Sequence, residues 1–437
     1  MQFKNIKYTT CFALAAVMLL SVSCKKDYTD PNKAQADAVV KSSVGLTSLV
    51  IGIQRTYTAT RAGSVYNLIT TDGFLTKQLL IVNQGNTAEY QFYLGGSQVL
   101  NTNSIAISFW TNSNKVIFDA NTVLNYAPQL GDKGIASGLI AYASIFKALA
   151  LGNMAMFWDK IPDTTGVGTP VNFIANTEGY NKALGVINNA LAAIAANPIS
   201  TTFLSNIPAG INIVNTLHAL KARYSLYAGN YAQALSEANA VDLSVKSTFN
   251  YDLQALNPIF ETATSTNNVY QPLDSTMGLP PALAPNLADK REPFYITISP
   301  GSAQRFRING FFATSTASIP VYLPGEMTLI KAEAYARQAT PDLVNALVEL
   351  NKIITKQPAS DPFGVGAGLP VDPGPYTQSQ LLDQIYRHRA IELYMTGLRE
   401  IDSRRFNRPN SERTRNYLPY PNVEHNGNAN TPDDPQF

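Results

Sequence analysis

Apolar residues recur at helical spacing along much of the chain, and the helices they predict come in pairs. Leu139, Tyr142, Ile145, Phe146, Leu149 and Met156 share one face of a helix predicted over 138–157. Tyr180, Leu184, Ile187, Leu191 and Ile194 mark the helix after it, which ends near Asn197-Pro198. Val214, Leu217, Leu220, Tyr224 and Tyr227 predict another, stopped by Gly229-Asn230, a C-cap and turn. Tyr231, Ala234, Leu235 and Ala238 begin its return helix. Met327, Ile330, Ala334 and Tyr335, then Leu343, Leu347, Leu350 and Ile354, predict a third pair, with Pro341 in a first turn. A last long helix is predicted from about Ser379 to Arg399.

Helical hairpins of about 34 residues are the unit of tetratricopeptide arrays. The stretch from Ala222 to Leu235 is the clearest copy, with an aromatic-rich first helix, a Gly-Asn turn and a Tyr-x-x-Ala second helix. Long insertions separate the pairs, and they hold the proline. Of 26 prolines, 17 fall in 257–300, 358–375 and 409–437. Residues 83–109, rich in Asn, Gln, Gly and Tyr, read as a further non-helical region. The predicted fold class is all-α, built from tetratricopeptide-like helical hairpins. Large irregular loops interrupt it at about 83–109, 257–312 and 358–378, with short strands around 294–312. Loops this long carry function or are disordered.

The N-terminus reads as an export signal. Lys4 and Lys7 precede the apolar run Cys11 to Leu20, which is too short to span a bilayer and right for a signal-peptide core. Ser21-Val22-Ser23-Cys24 then resembles a relaxed bacterial lipobox, with Ser21 where Leu is usual. Cys24 is the candidate lipidation site; the competing reading is an ordinary cleavable signal with a chance cysteine. A multiply acylated cysteine is a stable membrane anchor. The predicted organisation is a signal peptide at 1–23, a lipidated tether at 24–45 and one domain at 46–437. Removing the signal removes Lys4, Lys7 and Cys11, and with the two lysines the whole formal surplus of +2.

Composition narrows the function. Charged residues are 15% of the 437, against roughly 25% in an average soluble domain. Near-zero net charge excludes a dedicated polyanion binder, and two cysteines exclude a disulfide scaffold. His218, His388 and His425 are not spaced as metal ligands with each other or with carboxylates, so no metal or cofactor is expected. No nucleophile elbow or phosphate loop occurs. Gly364-Val365-Gly366-Ala367-Gly368 is followed by Pro370, Pro373 and Pro375 where a nucleotide-binding helix would have to start. A carboxylate pair for glycoside hydrolysis need only meet in space, so an enzyme stays open as the minor reading. Eight arginines between Arg387 and Arg415 are interleaved with Glu392, Glu400, Asp402 and Glu412, which predicts an ion-pair network rather than a basic binding patch.

The segment from Ile385 to Phe406 resembles the "ER-x-x-EL-x-x-EG-x-R-x-x-D-x-RR-W" signature of the SusD/RagB family. Arg389, Glu392, Leu393, Gly397, Arg399, Asp402, Arg404 and Arg405 match in spacing, while His388, Thr396 and Phe406 depart from it. Shorter stretches match in the family's order. They are Ile117 to Leu124 with Trp110 upstream, Phe157 to Pro162, Asp289-Lys290-Arg291, Pro324 to Arg337, and Leu418 to Glu424. The resemblance implies a surface lipoprotein of the outer membrane that partners a SusC-like TonB-dependent transporter. It implies capture of an oligosaccharide, or in some members a peptide, without chemistry and without a cofactor.

Sugar rings stack on aromatic faces, and their hydroxyls bond to Asn, Gln, Asp and Arg. The expected ligand-binding residues are therefore loop aromatics and their polar neighbours. In the first region these are Asn83, Tyr90 and Tyr93; in the second, Tyr270, Arg291, Phe294, Tyr295 and Phe311.

Overall fold

Short polar side chains set most helix starts. Ser42, Asn103, Asp132, Ser200, Asn212, Asn230, Asp342 and Thr377 each accept a bond from a backbone N–H in the first turn of the helix they precede. The computed structural model describes residues 39–166 and 170–436. The proposed signal peptide, Cys24 and most of the tether lie outside them.

The main helices are α1 (Ser43–Thr58), α2 (Ser64–Leu75), α3 (Thr87–Leu94), α4 (Ser104–Tyr126), α5 (Lys133–Phe157) and α6 (Asn176–Ala196). After the one-turn α7 (Thr201–Ser205) come α8 (Ile213–Tyr227) and α9 (Tyr231–Asn239). After the short α10 (Arg291–Tyr295) come α11 (Pro324–Arg337), α12 (Leu343–Thr355), α13 (Gln378–Glu392) and α14 (Arg399–Arg405). The predicted pairs are present: α5 packs on α6, α8 on α9 and α11 on α12. Gly229 turns between α8 and α9 at φ +78°, a left-handed conformation that suits glycine. Gly152 lets α5 approach α8, since a Cβ there would lie 2.3 Å from the Tyr224 ring.

Helix α5 is long and apolar enough to cross a membrane, but 78% of its most apolar window is buried, so it is the central core helix. Tyr142, Phe146, Leu149 and Met156 on it are essentially inaccessible.

Among the described residues, four two-stranded antiparallel ladders tie the irregular segments together. They pair Leu79–Ile81 with Tyr270–Pro272, Lys160–Pro162 with Phe173–Ala175, Thr248–Phe249 with Ile319–Pro320, and Ile296–Ile298 with Phe306–Ile308. The last is the hairpin expected around 294–312.

Three expectations are corrected. The region 83–109 is not free of helix: α3 lies inside it and α4 starts at Ser104. Helix α3 has no strong apolar stripe and is held by tertiary contacts. Ala88, Glu89 and Phe92 are buried, and the Asn103 amide bonds the Ala88 carbonyl at 3.0 Å. The last long helix, α13, does not run to Arg399 but ends at Glu392. Met395 (φ +55°) and Gly397 (φ +83°) then reverse the chain, and Gly397 packs where a Cβ would meet the Leu68 side chain at 2.3 Å. Finally, α1 starts at Ser43, within the stretch assigned to the tether.

The arginine-rich segment forms the expected ion-pair network. Arg389 donates to Asp402 at 2.8 Å, and Arg405 donates to Glu333 at 2.6 Å and to Asp402 at 2.8 Å. Arg408 holds Glu412 and Asp383. His218 bonds Glu237 at 2.7 Å on the α8–α9 hairpin, a structural role.

Candidate functional site

The two expected ligand regions meet through the ladder Leu79–Ile81 with Tyr270–Pro272. It continues as the N–H groups of Val82 and Asn83, which donate to the Val269 carbonyl at 2.9 and 3.2 Å. Asn83 is exposed, and its side chain accepts from Gly85 N–H at 2.9 Å, shaping the turn into α3.

Tyr90 and Tyr93 sit three residues apart on α3 and so point the same way. Their rings are near-parallel, with centroids 6.5 Å apart and planes 18° apart. Tyr93 is exposed and Tyr90 half-buried. Beneath them, Tyr93 meets Phe74 edge-on at 6.5 Å, and Phe74 meets Tyr270 at 5.4 Å. The pair is thus a supported aromatic ledge with Asn83 at the start of the same segment.

The N-terminal part of α3 is anchored by a buried carboxylate. Glu89 accepts from Tyr66 OH at 2.7 Å and from Arg61 Nε at 3.0 Å. Arg61, Asn86, Thr87, Ser104 and Ser108 line a polar groove of about 370 Å³ there.

The second set of expected residues is mostly internal, which corrects the expectation that they touch a ligand. Tyr270 is fully buried, and its hydroxyl lies 3.3 Å from that of Thr70. Arg291 is fully buried: it donates to Asp289 at 2.6 and 3.0 Å, to Glu392 at 3.1 Å, and lies 3.0 Å from His388 Nδ1. Burial, then the positive charge of Arg291, push the His388 pKa well below the usual imidazole value, so the ring is neutral and accepts this bond. Tyr295 is 1% exposed and donates to the Glu392 carbonyl at 2.6 Å. Phe311 is buried against Phe294, their centroids 5.3 Å apart. Phe294 is half-buried and stays accessible.

Sequence patterning missed Phe118. It is 48% exposed and lines a cleft of about 470 Å³ with Asn114, Lys115 and Thr165. The signal was present: on α4 the buried positions include Phe109, Trp110, Ser113, Val116, Ile117, Ala120 and Val123, and Phe118 falls off that stripe. Trp110 and Trp158 are both buried and pack edge-to-face at 4.9 Å, so neither offers a platform. Among the described residues no group of three or more His, Cys, Asp or Glu is placed to hold a metal ion.

No protein-family model and no curated protein matches the sequence. Solved structures do match the fold. A SusD superfamily protein from Bacteroides vulgatus aligns with TM-score 0.68 and 13% identity, covering 91% of this chain and 100% of the other. One from Bacteroides fragilis gives TM-score 0.66 and 16% identity, covering 90% and 99%. A laminarin-binding SusD-like protein gives TM-score 0.62 and 16% identity, again covering 90% and 99%. The fold, predominantly α-helical with helical hairpins and large loops, matches that of these SusD-like structures.

Proposed function

We propose that the protein is a SusD-like binding lipoprotein that captures an oligosaccharide at the Tyr90–Tyr93 ledge. It passes the ligand to a SusC-like TonB-dependent transporter of the outer membrane, and it does no chemistry. The observation that carries the ligand class is the near-parallel, partly exposed tyrosine pair on α3, the helix whose first residues, after the Asn83 turn, line a polar groove. Aromatic faces take the apolar faces of sugar rings, while amide and hydroxyl groups take the ring hydroxyls. The near-neutral chain suits an uncharged ligand. That a structure of the same fold is described as laminarin-binding supports the glycan reading. The relaxed lipobox at Cys24 and the Arg389–Arg405 signature support surface anchoring and the transporter partner. In this reading Tyr270 supports the ledge through Phe74, whereas Arg291, Tyr295 and Phe311 are internal residues away from it and Phe294 is the accessible aromatic of the second set.

Calorimetry against neutral oligosaccharides and against peptides tests the reading. Binding of peptides alone would replace the glycan with a peptide ligand on the same scaffold. Release of new reducing ends would restore an enzyme.

A further inference from the structure

Among the described lysines and arginines that are not exposed, Lys147 alone has no hydrogen-bond, ion-pair or ring partner. It lies on α5 between Phe146 and Ala148, both fully buried. Its ammonium is partly desolvated, and burial and then the charge of Lys182 push its pKa below the usual lysine value. An unpaired, partly desolvated cation that lines a cleft gains more from an anion there than a fully hydrated one would.

The space for one is present. Lys147 lines a cleft of about 490 Å³ with Asn121, Asp163, Lys182 and Asn189, where α4, α5 and α6 meet the segment after Pro162. Lys182 donates to the Asp163 backbone carbonyl at 2.7 Å and also pairs with its carboxylate. The cleft lining thus holds two lysines and one carboxylate, a local surplus of one positive charge. Gly185 lines the same cleft in the interior of α6, where glycine is less favourable than alanine. A Cβ at Gly185 would meet nothing within 4 Å, so packing inside the protein does not demand a glycine; a side chain would stand in the cleft.

We infer that this cleft is a carboxylate-binding subsite, with Lys147 as the ion-pair partner and Lys182, Asn121 and Asn189 as surrounding donors. A single surplus charge matches a monoanionic carboxylate, and a neutral ligand would leave Lys147 unpaired. The site is separate from the tyrosine ledge and does not depend on the glycan reading. A carboxylate can come from a uronic-acid sugar or from a peptide C-terminus, and both are probes of the test.

The test is calorimetry on the full chain with a glucuronate-containing tetrasaccharide, its neutral glucose counterpart, a tetrapeptide with a free C-terminus and the same peptide amidated. The expected result is that one carboxylate ligand binds and its uncharged counterpart binds at least tenfold more weakly. Lys147→Met and, separately, Gly185→Leu then weaken the carboxylate ligand at least tenfold. Lys147→Met also raises the thermal midpoint, because it removes an unpaired, partly buried cation; that separates loss of binding from loss of fold. The inference is overturned if neither carboxylate ligand binds, if the uncharged counterpart binds equally well, or if Lys147→Met binds as the wild type does.

Discussion

Arg291 and Glu392 form an ion pair at 3.1 Å in which neither side chain has any solvent exposure. The pair joins the 257–312 segment to α13, two regions 101 positions apart in sequence. Glu392 also receives Lys356 at 2.5 Å, from the end of α12. A buried charge pair is weak evidence for net stability, but removing one partner strands the other. Arg291→Met is therefore expected to destabilise the protein by about 3–5 kcal/mol, measured by urea unfolding. A change under about 1 kcal/mol would mean that Asp289 and Glu392 find other partners.

Glu333 predicts an acid limb. Burial alone would raise its pKa, but Arg405, Arg389 and Arg337 overcome burial and hold it at about 2. Its folded value lies below its unfolded value, so its stabilisation is present above about 4.5 and is lost as pH falls towards 2. Unfolding free energy should fall across that window. Glu333→Gln should be less stable at neutral pH and show a shallower acid decline, checked by denaturant unfolding at stepped pH.

Glu400 predicts the opposite slope. It is fully buried, both carboxylate oxygens lack a hydrogen-bond partner, and Arg404 is 3.7 Å away. Burial raises its pKa to about 8, with the charge of Asp72 adding to the shift. Asp72 itself accepts the Glu400 N–H at 2.6 Å. Because the folded value of Glu400 is raised, its contribution is full below about 4.5 and is lost as pH rises through about 8. Glu400→Gln should flatten stability over that range, read from thermal midpoints at pH 6 and pH 9. An unchanged slope in the variant would assign the decline to other groups.

Membrane attachment rests on Cys24 in this account. A Cys24→Ala variant expressed without its transporter should move from the membrane fraction to the soluble fraction. Retention in the membrane would contradict lipidation at this residue.

Much of the scaffold was legible because helices α5, α6, α8, α11 and α12 carry local apolar periods that tertiary structure does not override. The Arg389–Asp402 pair was legible for a similar reason, since both residues lie in one short motif. The candidate site was only half legible. The pairing of Tyr90 and Tyr93 was legible because they share a short segment. Tyr270, Arg291 and Tyr295 were misread because irregular backbone was equated with surface. Their partners Thr70, Glu392 and His388 lie 97 to 200 positions away, and no local pattern reports such contacts. Phe118 was absorbed into a helix motif although it sits off that helix's buried stripe. Helix α3 was missed because its stability comes from Glu89, Phe92 and the Asn103 clamp rather than from its own pattern.

The central claim is that Tyr90 and Tyr93 form the floor of a glycan site. It is tested most directly by titration calorimetry of the wild type and a Tyr90→Ala/Tyr93→Ala variant against one panel of neutral oligosaccharides. The account predicts that at least one glycan binds the wild type, and that the variant keeps its fold and loses tenfold or more in affinity, about 1.4 kcal/mol. Silence from every glycan, or a variant that binds as tightly as the wild type, would contradict it.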